Sequence, residues 1–190
     1  MNSKVDLRII KTHTKLKTAL AEMMNDVPFD EITVFDLCEK AGVRRATFYK
    51  HFKDKYDFLR AVTTSVINDI SVSVLSNEYN LLSPVDYFTN FVKEILDYFN
   101  KRPTILANLL ESNTFPLILD IITSCTETSL IQDLLNAKQY GASVTTDIVF
   151  TANFINGGIS KLLLEWFKNS SISQEELTRK IAEILAKFFN

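Results

Sequence analysis

Residues 33–57, Thr33-Val34-Phe35-Asp36-Leu37-Cys38-Glu39-Lys40-Ala41-Gly42-Val43-Arg44-Arg45-Ala46-Thr47-Phe48-Tyr49-Lys50-His51-Phe52-Lys53-Asp54-Lys55-Tyr56-Asp57, decide the fold. They spell two short helices hinged at Ala41-Gly42-Val43, followed by the first residues of a third. In the first helix Thr33 and Asp36 form a capping-box-like start, and Val34, Leu37, Cys38 and Ala41 share one apolar stripe. Gly42 stands where the turn needs a positive φ or no side chain. In the second helix Val43, Phe48 and Phe52 point inward, which leaves 44, 45, 47, 49, 50 and 51 facing outward to varying degrees. Arg44, Arg45, Tyr49, Lys50 and His51 on that outer side suit a polyanion. A short helix crossing another, with cations and hydroxyls outward, fits a DNA major groove.

Helix signals continue on both sides of this stretch. Residues 6–25 carry Ile9, Leu16, Ala19, Leu20 and Met23 at helical spacing, and Val27-Pro28-Phe29-Asp30 ends that helix. Asp54 and Asp57 repeat the cap pattern and open, at Lys55, a helix reaching about residue 77. Ser83-Pro84-Val85-Asp86 offers an N-cap, a proline at the first helical position and an acid at the third. Pro103 and Pro116 mark helices near 103–112 and 116–136. Asn136–Ala142 reads as a loop, and Ser143 or Thr145 begins a long helix ending at Phe167. Ser173-Gln174-Glu175-Glu176 caps a last helix, 174–189. The count is nine helices and no strand, an all-α fold.

Bulk properties narrow the class. The 190 residues include only four glycines and four prolines, which favours long helices over a turn-rich β fold. Charges interrupt the N-terminus and no apolar run is long enough for a membrane span, so the expected compartment is the cytoplasm. Cys38 and Cys125 stand far apart and suggest neither a disulfide nor a metal cluster, and Cys38 reads as a small buried hydrophobe. The net charge of −2 conceals an asymmetry: residues 1–60 hold 12 Lys and Arg against 9 Asp and Glu, and the rest is acidic. A weakly basic front on an acidic body fits DNA contact by a local patch.

The run Ile32-Thr33-Val34, Ala41-Gly42-Val43, Ala46-Thr47-Phe48-Tyr49, His51-Phe52, Asp54-Lys55 and Phe58-Leu59 resembles the N-terminal domain of the TetR family of bacterial transcriptional regulators. The resemblance covers residues 8–68. It implies a helix-turn-helix DNA-binding domain over 1–53 and a regulatory and dimerisation domain over 54–190, with helix 4 linking them. Thr47 and Tyr49 match the family's phosphate-binding hydroxyls, and Lys55 its phosphate-binding lysine. Thr33 is placed for a phosphate contact through its N–H or hydroxyl. Arg44, Arg45, Lys50 and His51 fall at base- or backbone-reading positions. Ala46 stands where many members have glycine, and its methyl could meet a thymine methyl. On an arbitrary helix Arg44, Arg45 and Lys50 would be a solvated face; within this motif they read as DNA contacts.

The resemblance further implies a homodimer on a palindromic operator, double-stranded DNA being the partner. Gly157, Gly158, Leu162 and Trp166 of the eighth helix, with Ile181, Leu185 and Phe188 of the ninth, are the expected interface; an entirely intramolecular core is the alternative. A ligand cavity is expected among helices 4–8, with Phe88, Phe91, Tyr98, Phe150 and Asn153 as candidate lining. No cofactor, metal or catalytic constellation is expected: the body contains no histidine, and Gly157-Gly158 lacks the lysine and strand of a phosphate loop. The leading reading is a repressor released by a small-molecule effector. The alternative is a co-activator or adaptor working through a protein partner.

Overall fold

The computed structural model describes residues 7–76, 83–139, 147–169 and 171–189. These residues form nine α-helices and one 3-10 turn, with no strand among them. Among the described residues the layout is the all-α, nine-helix one that the cap and proline signals imply. In order the helices are α1 (Leu7–Met23), α2 (Val34–Ala41), α3 (Arg45–His51), α4 (Lys55–Ser76), α5 (Pro84–Asn100), α6 (Pro103–Glu111), α7 (Phe115–Gln139), α8 (Ile148–Lys168) and α9 (Gln174–Phe189). The 3-10 turn, Phe29–Glu31, lies between α1 and α2.

Most helix starts lie where side chains can accept the free N–H groups of a first turn. Thr33 Oγ1 accepts from the Asp36 N–H (3.1 Å), and Asp54 Oδ1 accepts from the N–H groups of Tyr56 and Asp57 (2.9 and 2.8 Å). Ser83 Oγ accepts from Asp86 N–H (3.2 Å), and Ser173 Oγ accepts from Glu176 N–H (3.2 Å). Two expectations change. α7 continues to Gln139, so residues 136–139 are helical where a loop was expected, because they include no glycine or proline to stop the helix. α8 is described from Ile148, with Asp147 accepting from Phe150 N–H (2.9 Å). Residue 77 and residues 140–146, which include Ser143 and Thr145, lie outside the described residues.

The chain packs as two compact units, residues 1–63 with 102–116, and residues 64–101 with 117–190. The packing boundary therefore falls inside α4, ten residues beyond the expected residue 53, and α6 belongs with the first unit. Polar contacts hold it there. Asn108 Nδ2 donates to the Met24 carbonyl (2.8 Å), and the Asp30 carboxylate accepts from Asn113 N–H and from the Thr114 hydroxyl (both 2.9 Å). The first unit buries Leu16, Leu20, Phe29, Ile32, Leu37, Phe48 and Phe58 almost completely.

In the second unit Phe88, Val92 and Leu96 of α5 share a core with Leu130 and Leu134 of α7, Ile155 and Leu163 of α8, and Leu177, Ile181 and Leu185 of α9. The last three recur every four residues, so they form one stripe on α9. Gln174 ties α9 to α5, donating to Asp97 Oδ1 and accepting from Asn100 Nδ2, each at 2.7 Å.

Candidate nucleic-acid interface

The turn between α2 and α3 is built by Gly42. Its φ of 62° is left-handed, its N–H donates to the Glu39 carbonyl (3.1 Å), and the Val43 N–H donates to the Cys38 carbonyl (2.9 Å). These two bonds close a Schellman motif, which fixes the direction in which the chain leaves α2. Arg44 then stands as the extended residue before α3, and its carbonyl accepts from the N–H groups of Thr47 and Phe48 (2.8 and 3.1 Å). Phe48 is fully buried and packs edge-on to Phe58 and tilted against Phe52, at 5.8 and 5.4 Å between ring centroids. With that side anchored, the opposite side of α3 must face outward.

Arg44, Arg45, Ala46, Tyr49 and Lys50 are exposed, and Thr47 and His51 are half-buried. Seven members of the sequence-derived contact set thus lie on α3 or at its N-cap, five exposed and two half-buried. Cys38, on α2 beneath, is buried, and that burial pushes its thiol pKa up despite the charge of Arg45. It is packing, as expected.

Thr33 and Lys55 differ from expectation. The Thr33 hydroxyl caps α2 and donates its proton to the Asp36 carboxylate, so it has no proton left to offer a phosphate. Lys55 opens α4, but its ammonium turns into the protein. Nζ donates to the carbonyls of Asp30 (2.8 Å), Ile32 (2.9 Å) and Phe29 (3.3 Å) and lies 5.0 Å from the centre of the Phe29 ring. An ammonium has three protons, and all three are engaged. Burial lowers its pKa, and the charge of Asp30 opposes that shift.

His51 meets His13 of α1 at 5.1 Å between ring centroids, with the planes 86° apart, and His13 also packs on Phe52 at 5.0 Å. Asp30, which no local pattern singled out, is a hub of this unit: its carboxylate binds residues 83 and 84 positions away. Its pKa is lowered: burial pushes it up, but the hydrogen bonds from Asn113, Thr114 and Ser112 and the charge of Lys55 outweigh that.

In the second unit a cavity of about 20 Å³ lies between α5, α7 and α8. Of the five candidate lining residues, Phe88 and Phe91 border it, beside Thr123, Thr126, Asn156 and Ser160. Tyr98, Phe150 and Asn153 do not: Phe150 and Asn153 are exposed and Tyr98 packs edge-on to Phe99. Asn156, one helical turn from Asn153, takes the inner position, with Oδ1 accepting from Thr126 Oγ1 (3.1 Å). An asparagine amid the apolar run of α8 was the signal that could have pointed there. The cavity's volume is room for about one water.

Among the expected interface residues, Ile181 and Leu185 are buried in their own unit's core, because the α9 stripe faces α5 and α8 of the same chain. Trp166 is half-buried and donates to the Ile172 carbonyl (3.0 Å). Gly157, Gly158 and Leu162 are exposed, in line with Phe150 and Phe154 on α8. Phe188 packs against Phe154 at 6.3 Å. No single helix among the described residues is long and apolar enough to cross a membrane.

The family profile described as "Bacterial regulatory proteins, tetR family" matches residues 17–62, and that described as "Transcriptional regulator C-terminal region" matches residues 86–187. The uncharacterized HTH-type transcriptional regulator YxbF of Bacillus subtilis (strain 168) is 27% identical over 82 residues, 40% of this chain and 22% of that protein. The chain thus spans about a fifth of that relative's length. The structure of fatty acid degradation regulator FadR from Bacillus halodurans aligns with a TM-score of 0.67 at 16% identity, over 91% of this chain and 93% of its own. RolR in complex with resorcinol aligns with a TM-score of 0.67 at 14% identity, over 94% and 89% respectively. At these identities the two structures speak for the fold alone.

Proposed function

This chain belongs to the TetR family of bacterial regulatory proteins, transcription regulators and not enzymes, and on that premise we propose that it is a homodimeric repressor that binds a palindromic operator. Residues 1–53 carry the DNA contacts, and residues 54–190 carry pairing and regulation. The observation that supports this most is the outer surface of α3, where Arg44, Arg45, Tyr49 and Lys50 are exposed while Phe48 anchors the other side. Arginine there can bind guanine O6 and N7 in bidentate fashion, worth about 1–3 kcal/mol of discrimination. Thr47, Tyr49 and the N–H of Thr33 are suited to phosphate oxygens, and Ala46 to a thymine methyl.

The second copy docks on α8. Phe150, Phe154, Gly157, Gly158 and Leu162 follow one another at helical spacing, are exposed, and form an apolar face joined by Ile184 of α9. The two glycines admit close approach of a partner helix. A two-fold pair presents two α3 surfaces to successive major grooves.

The experiment selects duplexes from a random pool with the purified protein and measures affinity by fluorescence anisotropy. Arg45→Ala and Tyr49→Phe should each weaken the selected site with pairing intact, and log K should fall by about 0.9 per neutralised phosphate with log salt. Unchanged binding by both variants would remove α3 as the docking surface.

Release by a small-molecule effector is the finer part of the proposal. RolR was crystallised with resorcinol, and an effector here would enter between α5, α7 and α8. The cavity described between α5, α7 and α8, about 20 Å³, is by itself smaller than the roughly 300–1,000 Å³ of ligand sites, and the alternative is an adaptor that works through a protein partner. Thermal shifts across a metabolite panel separate the two, since an adaptor gives none.

A further inference from the structure

We propose that Lys55 is a positioning residue for the DNA-contacting helices and not a phosphate ligand: its ammonium clamps the turn from which α2 starts. This assignment rests on the DNA-binding reading above. The clamp is made of three converging carbonyls, those of Phe29, Asp30 and Ile32, at 3.3, 2.8 and 2.9 Å from Nζ. They belong to the 3-10 turn and the residue after it, and Ile32 adjoins Thr33, the cap of α2. Phe29 lies buried under the ammonium and Tyr56 flanks it, with ring centres 5.0 and 5.5 Å from Nζ.

The same turn is pinned from its other side, where the Asp30 carboxylate accepts from Asn113 N–H and the Thr114 hydroxyl. Lys55 therefore closes a polar frame around the α1–α2 connection. α2 ends at Gly42 in a motif that leaves α3 one exit direction, so a displaced α2 start would carry α3 with it. A phosphate could recruit the Lys55 ammonium only by stripping it from three carbonyls, of which, among the described residues, that of Phe29 alone keeps a second donor, the Ile32 N–H at 3.1 Å. Arg44, Arg45 and Lys50 stand in contrast: they are exposed, and none of their side chains has a hydrogen bond or ion pair among the described residues.

The two roles predict different binding behaviour. Loss of a phosphate ligand weakens all sequences alike and reduces the salt slope by about one, whereas a displaced reading helix loses discrimination. The test titrates wild type, Lys55→Met and Lys55→Arg against the selected duplex and a scrambled one. Potassium chloride is varied at a temperature where circular dichroism reports every protein folded. Lys55→Met should lose about tenfold on the selected duplex and much less on the scrambled one, with an unchanged salt slope.

Lys55→Arg should behave like Lys55→Met, because a planar guanidinium spreads its N–H donors over a fork and puts no single nitrogen where the three carbonyls converge, although it reaches a phosphate well. It also keeps the test decisive if Lys55→Met fails to fold. A slope lower by about 0.9 with equal weakening on both duplexes would overturn the assignment, as would full rescue by arginine. Unchanged binding in both variants would overturn it too. A wild-type protein that selects no duplex would instead sink the DNA-binding reading, and this assignment with it.

Discussion

His13 and His51 are the chain's two histidines, and their rings touch across the α1–α3 contact. The Nε2 atom of His13 is buried and has no hydrogen-bond partner among the described residues. A proton added there would bury an unpaired N–H. Burial lowers the His13 pKa below 6.5, and His51 lowers it further. Because the unfolded chain then binds the proton more readily, stability rises with pH in this window. The contribution is present above about pH 6.5 and is lost as the pH falls through the depressed folded value. Melting temperature should therefore drop between about pH 7.5 and 5.5, and His13→Phe should flatten part of that drop. Parallel profiles for the two proteins would dismiss the effect. The same scale separates Lys50 from Lys55: both are lysines in a basic stretch, yet one is exposed and the other is clamped.

At the scale of elements, α2 and α3 have eight and seven residues, too short to persist alone. Their termini and the turn between them carry much of their definition. Gly42 can be tested cleanly, because a Cβ added there would meet nothing within 4 Å. Gly42→Ala should cost about 1–2 kcal/mol from left-handed strain alone, and Gly42→Asn less. Denaturant titration should register this as a lower midpoint with the same slope. An alanine variant as stable as wild type would contradict the turn geometry. The caps themselves were legible from sequence, because Thr33, Asp54, Ser83 and Ser173 act within three residues of their targets. The overrun of α7 to Gln139 was not, because polar residues alone do not stop a helix that has packing to follow.

At the scale of the whole molecule, what matters is which apolar faces remain after each unit has filled its own core. Ile181 and Leu185 look like interface residues by spacing, yet their own chain covers them. Phe150 and Phe154 remain 69% and 64% exposed on α8. Placing a charge there should prevent pairing with little effect on the fold, since the site is outside the core. Sedimentation velocity should find wild type as two chains and Phe154→Glu as one, with equal helicity by circular dichroism. A single-chain wild type, or a variant that still pairs, would discard the α8 face.

Helix count, helix starts, the Gly42 turn and the outward side of α3 could all be read from residue order. Each depends on neighbours within about one turn, so the chain carries the whole instruction locally. The Asp30 hub, the Lys55 clamp, the Asn156 position and the division of apolar stripes between core and surface could not. Asp30 and Thr114 are 84 residues apart, and a long flexible side chain such as Lys55 settles only where the assembled fold presents acceptors. Those outcomes depend on which surfaces meet in three dimensions, and no spacing along a helix encodes that.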